Sequence, residues 1–426
     1  MATAWLIRAW LVAALCVAWC GAAVGQTPLE RRVAEIAEQV TAGAGERDTY
    51  DASFLQAVPM GQINGLYGQM RSRGGAVVGV DPSVQMSASA GRFLFRFANG
   101  VESDVTVTVQ AGAPHRVVGL LFGPMRPSGV SIEETVAGLA ALPGRVSVKV
   151  AEVVGGGELR AVAELNADEA LAIGSTFKLY ILAALVDGGV DWARVVELDE
   201  AARSLPSGMM QDWPAGSPTT VHTLASLMIS ISDNTATDAL LAEAGVSRVE
   251  GLLDELGNTH AGMNRPFLST MQLFKLRSNK GLEMSYAVAD EAGRRALLEG
   301  PVSVMSREAV DPAVFAGGPG AIEEIERFAS AADLCRLMAW FAERGDETAL
   351  GVMSINPGLP IADRFARVSY KGGSEPGVLN LTWLVERKDG RVFAVSAGWN
   401  NPAAALEDGR LLEAMQSVLI GVAELE

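Results

Sequence analysis

Apolar side chains return every three or four residues over 28–43. Leu29, Val33, Ile36 and Val40 fall on one face with charges opposite, a spacing that predicts an amphipathic helix. A second helical segment is expected over 53–70. The pattern then alternates along 92–97, 104–110 and 116–122, with Asn99-Gly100 and 111–114 between the runs, which reads as hairpins of a small antiparallel sheet. Helices followed by three or four strands make a small α+β domain over 28–123. The Pro- and Gly-rich stretch 124–130 reads as a linker.

Beyond it, Ser131 with Glu134 three residues on forms a capping box for a helix to about Leu142. Strand patterns over 145–154 and 158–165 flank Gly155-Gly156-Gly157, a hairpin turn. Residues 171–185 are almost wholly apolar, the mark of a helix buried on all sides. Helical spacing continues through 219–230, 234–244, 247–256, 268–277, 286–298 and 329–343. Strands return only at 367–370, 378–386 and 392–398, before a last helix over 403–422. Two strands, a helical block and three strands predict one five-stranded antiparallel sheet, completed from both ends and flanked by helices. The inserted block becomes an all-helical lobe, with a cleft between lobe and sheet. The expected fold class is α+β, a small domain followed by a larger one over 131–425.

The chain has 426 residues, 49% hydrophobic and 20% charged, enough for two globular domains with sizeable cores. A formal charge of −16 without a basic patch argues against nucleic acid as a partner. Residues 1–25 read as an export signal. Arg8 precedes an apolar run over 9–19 that is short for a bilayer span, and Ala23-Val24-Gly25 offers small residues for cleavage near Gly25. The mature protein is expected in the periplasm or outside the cell. Cys16 and Cys20 leave with the signal, so Cys335 stands alone as core filler and no internal disulfide is expected.

Chemistry concentrates at three places. Ser175 and Lys178 are three apart at the head of the apolar run, one turn apart on a helix face. A serine hydroxyl needs a neighbour to take its proton, and a desolvated lysine of lowered pKa can do so. Gly174 lets the chain turn into the helix, whose N-terminal N–H groups favour an oxyanion. Ser232-Asp233-Asn234 falls between two helical runs. It reads either as an N-cap or as a loop where Ser232 relays a proton and Asn234 holds substrate or lysine. Lys371-Gly372-Gly373 ends a strand pattern. It reads as a hairpin turn, or as a place where Gly373 admits a ligand closely and Lys371 holds a carboxylate.

In this order, on a helix start, a loop and a strand end, the three motifs resemble those of the class A β-lactamase and penicillin-binding fold of serine acyl-transfer enzymes. The resemblance covers about 131–425. It implies Ser175 as nucleophile, Lys178 as proton acceptor, and Ser232 as the donor to the leaving group. Asn234 would line the cleft, Lys371 would bind a substrate carboxylate, and the N–H groups of Ser175 and Ser374 would form the oxyanion hole. No cofactor or metal is implied; the partner is a small-molecule substrate, a β-lactam or a related ester. The layout is also similar to two-domain relatives in which a small cystatin- or steroid-isomerase-like domain comes first, as in the serine hydrolase encoded with clavulanic acid biosynthesis.

Two positions depart from the family pattern. The third motif has Gly372 where the family usually carries Thr or Ser, and Ser374 is the nearby hydroxyl. The family's deacylating Glu after the second motif, expected near 264–277, is missing; Glu283, Asp290 and Glu291 follow without an assigned place. Acylation is therefore better supported than fast deacylation. The rival reading is a slow or non-hydrolytic binder of penicillin or cell-wall peptide on the same fold. A Ser–His–Asp hydrolase is set aside. His115, His222 and His260 read as structural or surface residues, no Gly-x-Ser-x-Gly is present, and no His/Asp/Glu cluster suggests a metal.

Overall fold

The structure, a computed structural model, describes residues 26–311 and 317–425; the expected export signal, with Cys16 and Cys20, lies outside them. The chain divides after Gly129 into two units. In the first, Thr27 caps helix α1 (Pro28–Ala42) through a reciprocal bond with Glu30. The single helix expected over 53–70 is two, α2 (Ala52–Ala57) and α3 (Met60–Gly74). A residue before proline is pushed out of the helical region, and Val58, ahead of Pro59, is extended with φ −128°. Strands β1 (Val77–Gln85), β2 (Ala90–Phe97), β3 (Val101–Val109) and β4 (Val117–Phe122) follow in sequential antiparallel order. The edge strand β1 is not legible in the sequence because Gly79, Asp81 and Pro82 interrupt its alternation, and its register slips beside Pro82. Part of the stretch expected as linker joins this sheet: β5 (Arg126–Pro127) pairs with β3, and buried Arg126 sits 2.9 Å from both Glu102 and Asp104. Helices α1 and α3 cover the sheet with Val33, Ile36 and Tyr67 against Phe95, Val105 and Val107.

The second unit opens with the Ser131–Glu134 capping box on α4 (Ile132–Gly138), then the hairpin β6 (Arg145–Val154) and β7 (Glu158–Leu165). The two-residue strand β8 (Leu171–Ala172) leads through one 3₁₀ turn, Gly174–Phe177, into α5 (Lys178–Asp187). The lobe that follows holds β9 (Val195–Glu197), β10 (Pro218–Thr220), α6 (Val221–Ser230), α7 (Asn234–Ala244), α8 (Val246–Glu255), α9 (Thr270–Ser278), α10 (Lys280–Val288) and α11 (Glu291–Leu297). It is not all-helical as expected: β9 pairs with β10, and β8 with β11 (Phe328–Ala329). The helix expected over 286–298 also splits, because the Asp290 carboxylate caps a fresh start at Gly293 N, 2.8 Å away.

Helices α12 (Ala331–Arg344) and α13 (Glu347–Ser354) return the chain to β12 (Arg367–Glu375), β13 (Val378–Glu386) and β14 (Val392–Asn400), and α14 (Asp408–Glu424) ends it. The sheet is antiparallel in the order β12-β13-β14-β6-β7, so both ends of the unit complete it. Strands β13 and β14 read as continuous apolar runs because both faces are covered. On one face Trp383, Val395 and Trp399 meet Leu411, Met415 and Leu419 of α14. On the other, Ala394 and Leu384 meet Leu334, Met338 and Phe341 of α12, with Cys335 buried among them and its thiol pushed up to about 12. Among the described residues no helix is long and apolar enough to cross a membrane.

Trp383 is fully buried and its indole N–H donates to the Pro357 carbonyl at 3.0 Å. Trp383→Ala removes the packing of the central face together with that bond, and is expected to cost about 3–5 kcal/mol. Urea unfolding followed by circular dichroism measures it; a loss below about 1 kcal/mol would contradict the packing described.

Candidate functional site

The nucleophile candidate sits where the chain turns from sheet to helix. Gly174 has φ +48°, and the turn it allows lifts half-buried Ser175 out of the apolar run. Helix α5 then buries every side chain from Lys178 to Leu185. Beside the turn runs β12, the edge strand of the sheet. It does not stop before the third motif, as the sequence suggested, but continues through Lys371-Gly372-Gly373-Ser374 to Glu375, paired residue by residue with β13. Glycine continues this strand because the neighbour leaves room for nothing else. A Cβ on Gly373 would collide with Ile173 O and Ser175 N, and one on Gly174 would lie 3.0 Å from Ser374 N. The backbones of 174–175 and 373–374 thus lie against each other, bringing together the amides of Ser175 and Ser374.

The departure at the middle of the third motif has a steric cause. Tyr370, two residues before Gly372 on the same face of β12, packs on Trp383 with ring centroids 5.0 Å apart. Its hydroxyl occupies the space a side chain at 372 would need. Ser374 does not fill that place; it is exposed beside the turn.

Ser232 lies in the loop between α6 and α7 with φ +59°, uncommon for a residue with a Cβ and the kind of local strain found at functional sites. The loop is pinned from below. Asp233 caps α7 at Ala236 N (2.9 Å), while its second oxygen accepts from Met209 N and Met210 N at 2.7 and 2.9 Å. The aspartate caps α7, and its neighbours Ser232 and Asn234 line recesses beside it. Segment 205–210, unassigned from sequence, adds Ser207, whose hydroxyl donates to Ser232 O at 2.7 Å, and Leu205, whose carbonyl accepts from Asn234 Nδ2 at 3.1 Å.

Lys178 joins the motifs. Its Nζ donates to Ser232 O at 2.6 Å and Asn234 Oδ1 at 2.8 Å, and lies 3.0 Å from Ser232 Oγ. Burial, with the positive charges of Lys371 and Arg327 nearby, drives its pKa well below the lysine range. Two of these partners only accept, so each takes an N–H of Lys178, and the amine also faces the Ser232 hydroxyl. Lys371 approaches the same hydroxyl from the other side, 3.2 Å from Ser232 Oγ, and donates to Gly372 O; burial lowers it to about 7. Ser175, Lys178, Ser232, Asn234, Lys371, Gly373 and Ser374 therefore converge.

One recess is lined by Ser175, Ser207, Asn234 and Ser374, and an adjoining one by Ser232, Lys371 and Gly373. Neither is lined by a histidine, nor by Glu283, Asp290 or Glu291. Glu283 pairs with Lys280, Asp290 caps α11, and Glu291 pairs with Arg295. The first recess does hold Glu326, Arg327 and Glu375, which motif reading missed. The alternation along β12 carried a signal for Glu375, which shares a face with Gly373. Among the described residues no cluster of His, Cys, Asp or Glu could hold a metal.

The beta-lactamase enzyme family matches this chain over residues 131–418. Solved structures to which this chain is similar include a beta-lactamase from Sphaerobacter thermophilus DSM 20745, 22% identical over 70% of this chain and 98% of that one, with a TM-score of 0.48. Another is the beta-lactamase from Francisella tularensis, 12% identical over 70% and 100%, TM-score 0.47. A third is a beta-lactamase from Chitinophaga pinensis DSM 2588, 15% identical over 69% and 97%, TM-score 0.44. A comparison with curated proteins finds no match. With the family covering the whole sheet-and-lobe unit up to α14, the chain belongs to the beta-lactamase enzyme family and is a serine hydrolase of that type.

Proposed function

We propose that the protein hydrolyses a small acyl substrate, a β-lactam amide or a related ester, through an acyl-enzyme on Ser175. The observation that carries this reading is buried Lys178, held next to Ser232 and Asn234 with no access to water. An amine kept neutral there takes the Ser175 proton as Oγ attacks the carbonyl carbon. The charge that develops on the carbonyl oxygen meets the amides of Ser175 and Ser374, which need no reorganisation. Ser232 hands a proton to the departing nitrogen or oxygen and is resupplied from Lys178, 3.0 Å away. Lys371 answers a substrate carboxylate: an anion at its side favours the charged ammonium that burial disfavours. Export by residues 1–25 fits a substrate met outside the cytoplasm. Residues 28–123, helices on an antiparallel sheet, fit the cystatin- or steroid-isomerase-like domain of two-domain relatives.

Intact-protein mass spectra taken over time with a penicillin, a cephalosporin and an activated ester test the reading. Wild-type protein gains one acyl group, and the substrate whose adduct cycles fastest names the class. Ser175→Ala gains none and loses hydrolysis by at least about 10³-fold. Full activity in Ser175→Ala would end the proposal.

The same electrostatics make a stability prediction. Lys371 must shed a proton it holds in the unfolded chain, a cost present near neutral pH that shrinks as pH rises toward 10.5. Lys371→Met is therefore expected to raise the melting temperature at pH 7, by about 2–4 °C for each kcal/mol recovered. The gain should fade near pH 10. Calorimetry at the two pH values checks it, and an equal gain at both would contradict the assignment.

A further inference from the structure

Hydrolysis of an acyl-enzyme needs a base for the attacking water, and the residues expected to carry one near 264–277 hold no carboxylate. We infer that Glu375 is that base. The inference rests on the acyl-enzyme reading of Ser175. Glu375 follows Ser374 directly and stands two residues along β12 from Gly373, on the strand face that touches the Ser175 turn. Glu375 lines the same recess as Ser175 and Asn234.

Its two oxygens are in different situations. Oε2 is tied to Arg277 of α9 in an ion pair between largely buried side chains. Oε1 is buried, with almost no exposed surface, and accepts from no protein donor among the described residues, so a water admitted beside it during turnover would find an open acceptor. Glu326 is a poorer base. Its Oε2 accepts from Arg327 N at 2.9 Å and its Oε1 faces Arg327 Nη1 at 3.5 Å. Arg327 itself is fixed, its guanidinium stacked 3.8 Å from the centre of the Phe177 ring. Arg277 and Arg327 offset the two carboxylates, so the pair is held in place without a metal.

The charges facing Glu375 are Arg277 from α9, and Glu326 and Arg327 from the segment before β11. Burial and Glu326 push its carboxyl up to about 8, against the pull of the arginines. A carboxylate of that basicity is far better matched to taking a proton from water than an exposed one. In the step, Glu375 Oε1 takes a proton as the water oxygen bonds to the acyl carbon. The tetrahedral intermediate then breaks its bond to Ser175 Oγ, and the proton passes from Glu375 to that oxygen. The acid product leaves, and enzyme and base return to their starting states.

The test uses the full chain and a penicillin that forms the adduct, following acylation and deacylation separately by mass. In Glu375→Gln the adduct is expected to form within about threefold of the wild-type rate and to clear about 10²-fold more slowly. Hydroxylamine, a nucleophile that needs no base, should release it. In wild-type protein the deacylation rate should rise with pH through about 8, as Glu375 loses its proton. Glu375→Gln should be flat over that range, and Glu375→Asp should keep the rise. The wild-type profile needs no variant, so a flat profile overturns the inference even if Glu375→Gln misfolds. Clearance by Glu375→Gln at the wild-type rate overturns this inference alone. No adduct on wild-type Ser175 removes the acyl-enzyme reading and this inference with it.

Discussion

The second unit is arranged around a lysine amine sealed from water, where a positive charge would be among the costliest a fold can carry. Lys178 is fully buried, yet its neighbours are polar: a carbonyl, an amide oxygen and two lysine-bridged faces of one hydroxyl. Each neighbour comes from a segment that something else must hold still. Asp233 ties its loop to 209–210, Ser207 reaches back to the Ser232 carbonyl, and the sheet presents Lys371 from its edge. The apolar body of α5 supplies the burial that holds the amine's pKa down. Packing and electrostatics are here one arrangement, because the side chains that exclude water also lower the pKa of the amine.

The glycine contacts are the second constraint. Ser175 can meet the amide of Ser374 only because two backbones approach with no side chain between them, which demands Gly174 on one side and Gly373 on the other. Continuous pairing of β12 with β13 fixes one partner and the 3₁₀ turn fixes the other. The amides are therefore placed by secondary structure, which is stiffer than loop or rotamer.

The parts of this architecture legible in the sequence are those where a local rule meets no competitor. The sheet closed from both ends followed from where strand patterns stop and resume, and the three motifs stood out because polar residues interrupt apolar runs. Boundaries failed where one residue outweighed a long pattern: Pro59 cutting 53–70, Asp290 restarting a helix inside 286–298, Pro82 hiding β1. The carboxylates of the recess were hidden for another reason. Glu375 and Arg277 pair across 98 positions of sequence, and no periodicity reports such a meeting. Strand alternation placed Glu375 on the face of Gly373, but only a fold could say that Ser175 lies opposite.

Tyr370 lies over Gly372 and excludes any side chain there. That contact shapes the mutational routes open to this enzyme. A hydroxyl-bearing residue at this position would meet the phenol at its first added carbon, so the Tyr370 ring must shift with the substitution. That ring is stacked on Trp383, so moving it gives up part of a packing contact. Positions 370 and 372 are therefore coupled, and a change at one is felt at the other.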